Sequence, residues 1–394
     1  MSRDVVVVSG VRTAIGTFGG SLKDFAPSDL AGRVVKEAVS RAKIDPNEVG
    51  HLYLGNVIHT EPKDMYISRL AAINGGLPHG TAALTVNRLC GSGMQAIVSA
   101  AQSILLGDTD AAVGGGAESM TRGGYLLPSA RWGARMGDAK MMDMMVGALT
   151  DPFDTVHMGI TAENIATQWK ISREQQDELS VESHRRAVNA IDKGYFKDQI
   201  LGIELKTRKG VTVFDKDEHP RGDVTLESLA KLRTVFKKDG SVTAGNASGI
   251  NDGAAAIVMM ERGAAEKAGL KPMARLLSYG LAGVDPKIMG IGPVPAVHNA
   301  LKRAGLKVED MDVIESNEAF AVQALAVSCD LKFDPKKTNP NGGAVGLGHP
   351  IGATGAVLTV KALYELQRIG GKYALVTMCI GGGQGIAAVF ERMN

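Results

Sequence analysis

The chain has 394 residues, 44 lysines and arginines against 42 aspartates and glutamates, and 49 glycines. That length predicts two or three domains around a large core, and the balanced charge excludes a bulk affinity for nucleic acid or an anionic membrane. Three cysteines, at 90, 329 and 379, are too few for a disulfide scaffold and point to a reducing, cytoplasmic setting. Met1 to Asp4 followed by Val5 to Val8 is too short for a signal peptide. No uninterrupted apolar run reaches the ~18 residues of a membrane span.

Val5 to Val8 reads as a strand buried on both faces. Residues 28–43 read as a helix with Ser28 as N-cap. Leu52 to Val57 and Leu84 to Val86 read as short strands. Residues 91–106 read as a helix with Met94, Ile97, Val98, Ala101 and Leu105 on one apolar stripe. Ala111 to Val113 is the next strand, ending in Gly114-Gly115-Gly116. Arg275 to Leu277, the helix 295–304, Val313 to Glu315, and the helices 319–330 and 352–368 repeat that order. Ala374 to Met378 and Ile386 to Phe390 finish it. Alternating buried strands and helices predict an α/β fold.

The two runs are one supersecondary unit written twice. Ala38 to Ala42 through Leu52 to Asn56 matches Ala300 to Ala304 through Ile314 to Glu318 at an offset of 262. Cys90-Gly91-Ser92-Gly93 opens an apolar helix in the first copy. His349-Pro350-Ile351-Gly352 does so in the second, whose last strands flank Cys379-Ile380-Gly381-Gly382-Gly383. Residues 1–118 plus 250–270 form one half and 271–394 the other. Residues 119–249, rich in Met, Asp and Lys, read as one long inserted loop domain, too long for an ordinary connection.

Each motif admits a chemical and a structural reading. Cys90 between strand and helix feels the positive end of a helix dipole, which lowers its pKa and favours thiolate; a buried structural cysteine is the alternative. His349 at a helix start stays neutral, as a general base requires, or is an N-cap. Cys379 before a glycine run is a second proton carrier beside N–H groups that hold an oxyanion, or a packed strand residue. Asn317 orients a water or caps a helix. Cys329 is assigned to packing.

Val86-Asn87-Arg88-Leu89-Cys90-Gly91-Ser92-Gly93 resembles the nucleophile motif of the thiolase family. Asn317-Glu318-Ala319-Phe320, Gly348-His349-Pro350 and Cys379-Ile380-Gly381-Gly382-Gly383 resemble its other catalytic blocks, and Ala244 to Gly253 its coenzyme A (CoA)-proximal signature. His157-Met158-Gly159 and Met289-Gly290-Ile291-Gly292-Pro293 make the chain similar to the biosynthetic branch, closest to the bacterial β-ketothiolases. The resemblance implies two βαβαβαββ halves in a five-layered αβαβα core, with the insertion capping CoA and making a tetramer contact. It implies reversible condensation of acetyl-CoA with acetyl-CoA or a short acyl-CoA. Cys90 would be acylated, with His349 as its base, and Cys379 would move the α-proton. Asn317 (through a water) with His349, and the N–H groups of Cys90 and Gly381, would form two oxyanion holes. Ser248, Arg221, His157 and Ala244 would contact CoA, and Met158, Met289, Phe320 and Leu89 would line the acyl pocket. It further implies a homotetramer (a dimer of dimers), acyl-CoA and CoA as partners, and no permanently bound cofactor, metal, nucleic acid or membrane. Gly346 stands where the family more often has Ala, which predicts looseness beside His349. Met94-Gln95 departs from the common Leu-Arg, which predicts altered charge near the pocket.

The competing readings are a degradative 3-ketoacyl-CoA thiolase acting on longer chains, a ketosynthase, a zinc protein using Cys90, Cys379 and His349, and a silent CoA or lipid carrier. A ketosynthase wants Cys with two His, and Cys379 stands where the second His would be.

Overall fold

The computed structural model describes residues 3–208 and 210–393. The first copy runs through Val5–Thr13 (β1), Pro27–Ala42 (α1), Val49–Gly55 (β2), Ile67–Asn74 (α2), Ala82–Val86 (β3), Ser92–Leu106 (α3) and Ala111–Ser119 (β4). An excursion carrying Met158–Trp169 (α4) and Arg173–Asp192 (α5) follows, and Asn251–Glu261 (β5) closes the copy. The second copy comprises Ala274–Gly283 (β6), Pro293–Ala304 (α6), Val313–Ser316 (β7), Ala321–Leu331 (α7), Ile351–Ile369 (α8), Tyr373–Ile380 (β8) and Gln384–Arg392 (β9). Among the described residues its counterpart of β3 is reduced to a single parallel bridge between Ile314 and Thr338.

The strands lie in the order β7-β8-β9-β6-β1-β5-β4-β2-β3. Both copies thus use one order, starting from β1 and from β6. These two meet antiparallel through only two residue pairs, Val6 with Arg275 and Val7 with Ala274. Helices α3 and α8 lie between the two halves of the sheet, and their side chains share one cluster with Val7, Ala255, Ile257, Val376, Ile386 and Phe390. The outer face of the first half packs on α1 and α2, that of the second on α6 and α7. The result is five layers, αβαβα. The stretch Leu89–Leu106 has the length and mean hydropathy (1.3) of a membrane span, although sequence analysis finds none. Its helix is instead the central layer, apolar because sheet lies on both sides of it.

The central helices touch backbone to backbone. A Cβ at Gly355 would lie 2.3 Å from the Met94 nitrogen, and one at Gly116 2.2 Å from the Gly352 carbonyl oxygen. This explains why Gly114-Gly115-Gly116 sits in the middle of β4 rather than at its end, as expected from sequence. Three further expectations are corrected. Ala26, not Ser28, is the N-cap of α1, because Pro27 occupies its first turn. Leu105 points outward and is exposed, since α3 shows the sheet only part of its last turn. Gly346 brings no looseness: a Cβ there would stand 2.7 Å from the Ser183 backbone, so the glycine seats the short helix Ala344–Leu347 tightly on α5.

The excursion is stitched to both halves. Ile200–Leu201 pairs with β1 in parallel. Arg12 and Asp217, both buried, form a two-pronged ion pair at 2.7 and 2.9 Å. On the second half, Ser183 of α5 donates its hydroxyl to Glu318 Oε2 at 2.7 Å in the interior.

Candidate active site

The turn ahead of α3 delivers Cys90. Leu89 adopts φ +45°, a left-handed conformation unusual for a branched side chain. It is held by Asn87 Oδ1, which accepts the Leu89 N–H at 3.0 Å, and by Ser92 Oγ, which accepts from Arg88 N (2.8 Å) and donates to the Leu89 carbonyl (2.7 Å). The Gly381 N–H and the N–H of Cys90 itself are directed at the sulfur and act to lower its pKa. Burial acts more strongly and pushes the thiol up to about 11, with the Glu118 charge adding to it. The resting group is therefore a thiol, not the thiolate expected from a helix dipole. Desolvation outweighs the dipole because the sulfur faces a mostly apolar cavity.

His349 precedes α8, and its backbone N–H donates to Asn251 Oδ1 at 3.0 Å. Its Nδ1 lies 2.6 Å from Thr354 Oγ1, and that hydroxyl donates its only proton to the Pro350 carbonyl at 2.9 Å. With the hydroxyl turned to Pro350, Nδ1 carries the ring proton and Nε2 is the bare nitrogen, the arrangement that suits the Asn317 amide nitrogen facing Nε2. Asn317 Nδ2 approaches Nε2 at 3.4 Å. The Asn317 Oδ1 is buried without a partner, as expected of an atom that receives a water or substrate group. Burial lowers the His349 pKa to about 4, so the ring is neutral by desolvation rather than by the dipole.

Cys379 is wholly buried near the end of β8, among Met158, Met289, Ala319 and Phe320. Burial first, and the charge of Cys90 second, raise its pKa well above the ordinary thiol value. Cys329, assigned to packing, is instead exposed on α7.

A cavity of about 330 Å³ brings most of the expected residues together. Cys90, His349 and Gly381 line it, with Leu89, Met158, Met289 and Phe320 as apolar wall, and the insertion, which also carries Met158, adds His157, Ala244 and Ser248. Asn317 and Cys379 stand behind that wall. Arg221 does not line it: its side chain is 65% exposed and faces Asp223 at 3.5 Å. Met94 and Gln95 do not line it either. The structure adds Phe236, which stacks on the His157 ring at 4.5 Å and meets Phe320 edge-on at 6.2 Å. It adds Glu118, whose carboxylate accepts from Asn56 Nδ2 and the N–H groups of Val57, Ile58 and Gly352. Burial raises the Glu118 pKa to about 7. Thr354 and Asn251 fall within motifs visible in the sequence, but their roles depend on which atoms they face. A larger cavity, about 390 Å³, lies between α5 and α7 and contains no thiol or imidazole; Cys90, His157 and His349 line the smaller one.

Paired thiols, a neutral imidazole and preset N–H donors suit acyl transfer through a thioester. Residues 5–263 match the family model for the thiolase N-terminal domain and residues 270–392 that for the thiolase C-terminal domain. The chain belongs to the thiolase family, and with it to the acyltransferases. It is 68% identical over 394 residues to the beta-ketothiolase BktB of Cupriavidus necator, covering 100% of both chains. It is 48% identical to an acetyl-CoA acetyltransferase of Syntrophomonas wolfei, again covering 100% of both. The crystal structure of human mitochondrial 3-ketoacyl-CoA thiolase in complex with CoA matches with TM-score 0.97 and 46% identity, covering 100% of this chain and 98% of that one.

Proposed function

We propose that the chain is a β-ketothiolase that reversibly joins acetyl-CoA to acetyl-CoA or a short acyl-CoA, giving 3-ketoacyl-CoA and CoA through an acyl-Cys90 intermediate. The observation that carries this reading is the bare Nε2 of His349 in one site with the cavity-lining thiol of Cys90, the buried thiol of Cys379 and two N–H groups aimed at the Cys90 sulfur. In the first half-reaction the Cys90 sulfur bonds to the acyl carbon and its proton passes to His349 Nε2. The carbon–sulfur bond to CoA breaks, and the CoA thiolate takes the Cys379 proton. In the second, Cys379 as thiolate removes a proton from the α-carbon of acetyl-CoA. That carbon attacks the acyl-Cys90 thioester, and the released Cys90 thiolate recovers its proton from His349. Protons balance over the cycle without exchange with solvent, which suits thiols raised by burial. The N–H groups of Cys90 and Gly381 hold the first oxyanion, and His349 with an Asn317-bound water holds the enolate.

CoA would enter past His157, Ala244 and Ser248, with the insertion (119–249) as its cap and Arg221, outside the cavity, left for the phosphates. We further infer a cytoplasmic homotetramer, since two reactive thiols need a reducing compartment and the insertion carries an exposed apolar arm.

Labelled acetyl-CoA tests the roles. Cys90→Ser should incorporate no label; Cys379→Ser should take up label at Cys90 yet exchange no α-proton of acetyl-CoA. Acylation lost with exchange intact would reverse the assignment. Thiolysis of 3-ketoacyl-CoAs of four, five, six and eight carbons distinguishes the short-chain enzyme from a degradative one. A preference for eight carbons would favour the latter.

A further inference from the structure

Asn251 lies directly behind the catalytic histidine, and its neighbours fix which way its amide points. Its oxygen accepts the His349 backbone N–H at 3.0 Å, so its nitrogen is the donor, and that nitrogen reaches the Gly16 carbonyl at 3.0 Å. The same nitrogen faces Nδ1 of His219 at 3.4 Å. His219 Nδ1 must therefore accept, which puts the ring proton on Nε2. A ring N–H of His219 is directed at the Val345 carbonyl, in agreement. Little slack exists along this line. A Cβ at Gly348 would stand 2.5 Å from Asn251 Cγ, and one at Gly249 2.3 Å from His219 Cε1.

The loop carrying His219 is anchored on both sides. Asp217 pairs with Arg12, Glu218 accepts from the Thr17 and Ser21 N–H groups, and the Arg221 N–H donates to His184 Nδ1. The His184 ring stacks on that of His219 at 6.0 Å. His219 is thus a well-held imidazole with one acceptor aimed at the residue that holds the base, although it does not line the reaction cavity.

We propose that His219 is a positioning residue for His349, acting through the Asn251 amide. It orients Asn251, and Asn251 fixes the backbone from which the imidazole projects. The inference rests on the thiolase reading for the meaning of His349, but not for its geometry.

Two conservative variants separate the contacts of the ring. In His219→Asn the side-chain oxygen takes the place of Nδ1 and keeps the acceptor for Asn251. In His219→Gln the side-chain nitrogen takes the place of Nε2 and keeps only the contact to Val345. His219→Gln should lose about 10-fold or more in kcat, with KM for acetyl-CoA within about twofold. His219→Asn should recover most of that loss. His219→Gln combined with Asn251→Ala should be no slower than Asn251→Ala alone, since the first acts through the second. Equal losses in both His219 variants in step with a lowered Tm, or additive losses in the double variant, would make His219 structural and overturn the proposal. Alkylation of Cys90 by iodoacetamide, which needs no acyl-CoA, should follow the same ranking. If the wild type neither condenses nor cleaves acyl-CoA, the function fails while the alkylation ranking still decides the role of His219.

Discussion

In the proposed reaction three atoms decide the chemistry at the scale of single residues: His349 Nε2 and the sulfurs of Cys90 and Cys379. The Thr354 hydroxyl sets the first of them, because its proton is committed to Pro350. Thr354→Val should free the ring to take either tautomer and lower kcat about 10-fold or more, by analogy with other general-base steps, while thermal stability changes less. An unchanged kcat would mean that Nε2 is held bare by another group. The pH dependence follows from the lowered His349 pKa. A histidine depressed to about 4 stays neutral far below its ordinary 6.5. The single-turnover acylation rate should therefore hold from about pH 8 to about pH 5, without a step at 6.5. For stability the signs are opposed. His349 stabilises the fold above pH 6.5, and that contribution is lost as pH falls towards 4, because the unfolded ring binds the proton first. Glu118, raised from 4.5 to about 7, holds its proton longer when folded, so its contribution falls as pH rises through that interval. The thiols and the imidazole were legible from their glycine-rich motifs. Their protonation states were not, since desolvation comes from chain segments hundreds of residues away.

Among the elements, the two central helices carry the argument. They meet where Gly355 lies against Met94 and Gly93 against Gly352 and Ala356, so their first turns converge and bring Cys90 and His349 to one place. Gly355→Ala would force a Cβ to 2.3 Å from the Met94 nitrogen. It should cost about 1–3 kcal/mol in urea denaturation and reduce activity as the helices part; an unshifted midpoint would show that the helices separate freely. The helices were easy to place from their apolar periodicity and their Pro and Gly boundaries. The reduced strand of the second copy was not, because a duplicated pattern predicts the pairing partner even where the chain keeps only a bridge. Leu105 failed for a related reason: a stripe gives the direction of a helix face but not where the sheet beneath it ends.

On the scale of the whole molecule, the segment 125–146 is the outlier. Tyr125, Leu126, Met141, Met142, Met144 and Val146 are exposed there, with Trp132 at 84% and Met136 at 94%. Such a patch is unusual on a free monomer. Replacing Trp132 and Met136 with Glu should halve the mass of the proposed tetramer in sedimentation while leaving each active site intact; an unchanged mass would place the proposed contact elsewhere. The insertion was visible as a change of composition, but its anchoring through Asp217 and Ile200 was not, since nothing local marks a pairing with a strand near the N-terminus.

The narrow seam between Val6–Val7 and Ala274–Arg275 has an evolutionary meaning. An ancestor made of one repeat could have paired with its twin along this edge, and every such dimer would have owned two equivalent clefts. In the present chain the first repeat supplies Cys90 and the second supplies His349 and Cys379, so for the proposed reaction neither repeat can turn over alone, and the seam keeps the two in register.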